Sequence, residues 1–123
     1  MQKQPRMRDE KHLKFIRSLP CLVCQNNIST QACHIRMTDA RFGKVNPGIA
    51  AKPDDKYTLP MCDVHHSAQH KAGNERTFWE GIGLDPIPLA LELYAVSGDY
   101  EKGCEIIARA GQPVNILAAG LEG

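Results

Sequence analysis

Apolar positions recur at helical spacing near the start of the chain. Leu13, Ile16 and Leu19 fall three apart with Phe15 beside them, and Pro20 stops the run, which predicts a helix over 8–19. A tight turn over 20–27 follows and holds Cys21 and Cys24. Two short segments read as strands, one near Thr30–Ile35 and one over 57–61. Between them, 37–56 is rich in Gly, Pro, Asp and Lys without periodicity and reads as a long loop. Residues 62–72 and 74–81 suit short helices, the second anchored by Phe78 and Trp79. Pro88 suits the first turn of another helix, with Leu89, Leu93 and Val96 on its apolar side, ended by Ser97-Gly98. Asp99 suits the N-cap of a last one, in which Tyr100, Cys104, Ile107 and Ala110 fall at i, i+4, i+7 and i+10 before Gly111 and Pro113. Helices with two strands between them make an α+β chain.

At 123 residues this is a single domain: a basic arm over 1–7, a core over 8–85 and a helical extension over 86–123. Apolar residues at 42% and charged residues at 24% suit a globular chain. No apolar run approaches the roughly 20 residues of a membrane helix. The N-terminal charges have no apolar stretch behind them, which reads against a signal peptide and for a cytoplasmic protein with reduced thiols. The net charge of +1 hides a division. Residues 1–76 hold thirteen Lys and Arg against seven Asp and Glu, and 77–123 hold two against seven. A basic first part suits a polyanion such as DNA.

Five Cys and five His carry the chemistry. Cys21, Cys24, Cys62 and His65 form C-x2-C, a long gap, then C-x2-H. Each two-residue spacing lets one turn present two side chains to one ion, and two such turns supply the tetrahedral S/N set that zinc prefers. Buried free thiols, or a redox-active Cys-x-x-Cys, are the alternatives that the residues leave open. His66 and His70 stand at i, i+4, so on a helix they share a face and can share a second ion. His34, at the end of the first strand, can serve opposite them as a general base that takes a proton from water.

The run Cys21-Leu-Val-Cys24, Cys33-His34-Ile35-Arg36, then Leu59-Pro-Met-Cys62-Asp-Val-His65-His66 and His70 resembles the HNH, or His-Me finger, nucleases. With Leu19-Pro20-Cys21, Lys52-Pro53-Asp54-Asp55 and Phe78-Trp79, it is similar to small prophage-encoded members of that group, the Ref-like recombination nucleases. The resemblance covers roughly 10–85. It implies a ββα-metal core with a structural zinc, flanked by an N-terminal helix and C-terminal helices. It implies a metal-dependent DNA endonuclease that hydrolyses phosphodiester bonds with one catalytic ion, with His34 as base and with His66 and His70 as ligands. Cys33, preceding the base, would join them, and Arg36 and Lys52 would contact phosphates. Tyr57 stands where the family's middle Asn is usual, and Asp55, two residues earlier, would orient the base instead. Magnesium prefers oxygen, so a Cys and His ligand set points to Mn²⁺, Ni²⁺ or Zn²⁺ as well as Mg²⁺ as the catalytic ion. A recombination protein is the partner that the resemblance implies, and a homodimer would give two symmetric sites. The competing expectation is a zinc-binding module that holds DNA or a protein without cutting.

Overall fold

In a computed structural model, residues 6–44 and 53–111 are described. Lys52 lies outside them. The chain is α+β, a two-stranded sheet with five α-helices among the described residues. Helix α1 spans Glu10–Ser18. It starts later than its hydrophobic pattern predicts because Asp9 caps it, the Asp9 carboxylate accepting the His12 N–H at 3.0 Å. Its inward face buries Phe15 and Ile16 together with His12.

Strand β1, Thr30–His34, pairs antiparallel with β2, Thr58–Cys62, in the register Thr30 to Cys62 and His34 to Thr58. The second strand lies one residue later than its sequence suggests, because Tyr57 closes a turn onto the Asp54 carbonyl at 3.0 Å. Every residue of β2 is buried. Pro60 sits mid-strand without harm. Its carbonyl accepts from Leu22 N–H at 2.8 Å, away from β1, so its missing N–H also lies on the side that the ladder does not use. That bond seats the Cys21–Cys24 turn against the outer edge of β2.

Helix α2, Asp63–Lys71, follows β2 without a break, and α3 spans Glu75–Gly81. Helix α4, Pro86–Ala95, begins at Pro86, so both Pro86 and Pro88 lie in a first turn that needs no N–H donors. Helix α5 spans Tyr100–Ala110 behind an Asp99 cap. The loop expected over 37–56 holds a local structure that its composition did not predict. A 3₁₀ turn at Ala40–Phe42 is closed by a bridge between Asp39 and Lys44. One core runs through all the layers, joining Phe15, Ile16 and Leu19 of the first helix region to Leu59 and Met61 of β2, Trp79 of α3, Ile87 and Leu93 of α4, and Ile107 of α5. No helix among the described residues is long and apolar enough to cross a membrane.

Candidate functional site

Two His and Cys clusters flank the β1, β2 and α2 unit. The first joins the turn after α1 to the start of α2. Cys21 and Cys24 sit on a turn closed by Gln25 N–H on the Cys21 carbonyl and by Cys21 N–H on the Asn26 carbonyl, both 2.8 Å. Cys62 is the N-cap of α2, which places His65 one turn later over its sulfur. The four ligand atoms of Cys21, Cys24, Cys62 and His65 all lie within 4.8 Å of one another. Cys24 and Cys62 Sγ are 3.9 Å apart, and His65 Nδ1 lies 3.7 Å from Cys21 Sγ and 3.2 Å from Cys62 Sγ. Zn–S bonds of about 2.3 Å at tetrahedral angles require S···S separations of about 3.8 Å, so the set is already near that size. Val23 N–H and His65 N–H point at Cys21 and Cys62 Sγ, at 3.4 and 3.5 Å. Burial alone would raise the Cys62 thiol, but the His65 N–H and ring, with the Cys21 and Cys24 sulfurs, bring it down to about 7, toward the thiolate that a metal needs. These four residues could hold a metal ion such as zinc.

The second cluster lines a cleft of about 460 Å³ whose walls include His34, Arg36, His66 and His70, with Gln31 from β1 and Arg17 from α1. His34 Nε2 is 2.8 Å from Asp55 Oδ1. Asp55 is only 2% exposed and also accepts from Arg6 Nη2 at 2.9 Å and from Asp9 N–H at 2.7 Å. Burial pushes its carboxyl up, but the bonds from His34, the Asp9 backbone and Arg6, with the Arg6 charge, outweigh this and hold it at about 2. Asp55 is therefore an acceptor only and His34 donates its Nε2–H, which in a neutral ring leaves the lone pair on Nδ1. His66 donates from Nδ1 to Gln31 Oε1 at 2.7 Å, which leaves its Nε2 lone pair free. That atom lies 3.2 Å from His70 Nε2. Two nitrogens about 2.1 Å from a shared ion stand roughly 3.0–3.4 Å apart, depending on coordination geometry. Burial, then the neighbouring His70 and His34, lower the pKa of His66, which favours the neutral ligand form.

Cys33 departs from its expected place. It is fully buried in the core, its Sγ 3.8 Å from Gln69 Oε1, and it does not line the cleft. Burial, then Glu75 and Cys21, push its thiol up to about 12, so it stays a protonated core residue. Successive strand residues point to opposite faces, so a Cys next to the cleft-facing His34 is turned away from the cleft. Arg36 lines the cleft, its backbone N–H held by Glu75 Oε1 at 3.0 Å. Sequence reasoning missed Gln31, Arg6, Asp9 and Arg17. Strand alternation could not have suggested Gln31, which it places on the face of Cys33 and away from His34, whereas Arg17 stands one helical turn after the cleft residue Leu13.

A family model described as "Protein of unknown function (DUF968)" matches residues 1–86, ending at the first residue of α4. No curated protein and no solved structure matches the chain.

Proposed function

The chain belongs to the DUF968 family of proteins of unknown function, and from its site we propose that it is a metal-dependent DNA endonuclease of the HNH type. The observation that carries this reading is the meeting of three histidines at one cleft. His34 is fixed through Nε2 by an ionised carboxylate, and the Nε2 atoms of His66 and His70 converge to 3.2 Å. Two antiparallel strands running directly into the helix that carries the pair support a ββα-metal core. His66 and His70 would hold the catalytic ion, which when bound would act as a Lewis acid on a phosphate oxygen and on the leaving oxygen. His34 Nδ1 takes the proton of the attacking water. Asp55 keeps the imidazole in the tautomer with that lone pair and stabilises the imidazolium that results. Arg36 and Arg17, on the cleft wall, suit the phosphate backbone and read no base. The Cys21, Cys24, Cys62 and His65 cluster takes the structural zinc.

The test is nicking of supercoiled plasmid by wild type and His34→Ala, each with EDTA, Mg²⁺, Mn²⁺ or Ni²⁺. Removing a general base costs about 10²–10⁴ in rate, so nicking should appear with metal in the wild type and nearly vanish in His34→Ala, with DNA binding unchanged. Equal nicking by both proteins would remove His34 from the mechanism. A zinc-loaded wild type that binds DNA but never nicks it would instead be the non-catalytic module.

A further inference from the structure

We propose that Arg6 is a positioning residue for His34, acting through Asp55, so that the segment ahead of α1 belongs to the site although Arg6 does not line the cleft. The proposal rests on the reading of His34 as the base. Arg6 Nη2 and His34 Nε2 meet the same oxygen, Asp55 Oδ1, at 2.9 and 2.8 Å. The other oxygen is taken by Asp9 N–H at 2.7 Å. The guanidinium is itself fixed, because Arg6 Nε donates to the Pro53 carbonyl at 3.1 Å. Around this contact the two segments are laced together. Met7 N–H donates to Asp54 Oδ1 at 2.8 Å, and Asp55 N–H donates to the Met7 carbonyl at 3.0 Å.

The physical consequence follows from burial. A carboxylate with almost no contact with water must be compensated by donors and by charge. Among the described residues, the ion-pair partners of Asp55 are Arg6 and His34. A planar guanidinium that meets Oδ1 and a backbone carbonyl at once fixes both the carboxylate and the loop that carries it. Without it, Asp55 is held by one backbone N–H and by the very ring it is meant to orient. The carboxylate then turns to find another donor, and the imidazole turns with it. A lysine keeps the charge but not the two-point contact, so it should restore only part of the effect.

The experiment compares wild type, Arg6→Gln and Arg6→Lys as full chains, using ¹H–¹⁵N correlation of the histidine ring nitrogens and steady-state plasmid nicking. In the wild type, His34 should be held with its hydrogen on Nε2. In Arg6→Gln its signals should average between tautomers, and kcat should fall about 10- to 100-fold with KM for DNA unchanged. Arg6→Lys should recover part of both. The ring of His12, bonded through Nδ1 to Ser97 Oγ at 2.7 Å in the core, should not change and reports an intact fold. A wild-type His34 spectrum together with wild-type kcat in Arg6→Gln overturns the proposal. Should that variant not fold, the wild type and Arg6→Lys decide, since a neutral wild-type His34 with its hydrogen on Nδ1, or an Arg6→Lys protein with wild-type His34 signals and wild-type kcat, would also overturn it. If His34 is freed in Arg6→Gln while the wild type nicks nothing with any metal, Arg6 still positions His34 and the nuclease reading is what fails.

Discussion

A carboxylate cut off from water stays ionised only if donors replace the water, and the three donors on Asp55 have a measurable consequence. Its carboxyl is held at about 2, against an ordinary value near 3.8. At a pH between those two values the unfolded chain binds a proton that the folded chain does not. The stabilisation is therefore complete above the unfolded value and is lost as pH falls from about 4 through 2, amounting to about 2 kcal/mol. Asp55→Asn has no such proton to bind. Urea denaturation of both proteins should show wild type the more stable at pH 6, with the gap narrowing by about 2 kcal/mol toward pH 2. A gap that does not change with pH would mean that the carboxylate is not held as an ion. Residues of one type part company here in ways that residue identity does not reveal. His12 is fully buried and bonded to Ser97, whereas His34 reaches the cleft. Cys33 is core while Cys24 is exposed at the candidate metal cluster.

Elements were more legible than partners. The five helices of the described residues lie within a few residues of where spacing, stop residues and anchors put them. The acids and amides ahead of three of them, Asp9, Asn74 and Asp99, do accept the cap bonds that their type predicts. The ligand spacing in Cys21-x-x-Cys24 and Cys62-x-x-His65, and the i, i+4 pair His66 and His70, were visible because each is local. What could not be read is what joins residues far apart in the chain. The Arg6 to Asp55 contact spans 49 positions, and Gln31 meets His66 across 35. Strand alternation can turn Cys33 inward, but only a known partner face says which side is inward. The last helix shows the same limit. Gly103 lies mid-helix, where Ala would ordinarily add up to about 1 kcal/mol of stability. Here a Cβ would stand 2.8 Å from Phe15 Cζ and 2.9 Å from Leu19 Cδ2, both in the core. Overpacking of that kind costs about 1–3 kcal/mol, so Gly103→Ala should lower the melting temperature despite its helix propensity. A raised melting temperature would mean that α5 does not press on α1.

At the scale of the molecule, the candidate metal cluster joins parts of the chain that lie far apart in sequence. Cys21 and Cys24 precede β1, whereas Cys62 and His65 follow it across the whole sheet and its long connection. Their turn also touches the far end of the chain, where Gln25 Nε2 donates to the Ile107 carbonyl of α5 at 3.3 Å, while Leu22 N–H binds β2. Loss of an ion there would remove the tie between this turn and the start of α2, weaken the contacts beside it to β2 and α5, and leave three sulfurs crowded without a partner. Structural zinc supplies on the order of 10 kcal/mol or more to small domains, as much as the whole net stability of a typical one. The purified chain should therefore carry one tightly held zinc. A strong chelator, or Cys21→Ser, should remove both the zinc and the cooperative thermal transition seen by circular dichroism. His66→Ala and His70→Ala should behave differently, because both residues are at the cleft surface, where truncation usually changes stability by no more than about 0.5 kcal/mol. They should keep the zinc and the melting curve while losing metal-dependent nicking. A zinc-free Cys21→Ser protein that melted like the wild type would show that the core joining α1, β2, α4 and α5 holds the fold without the ion.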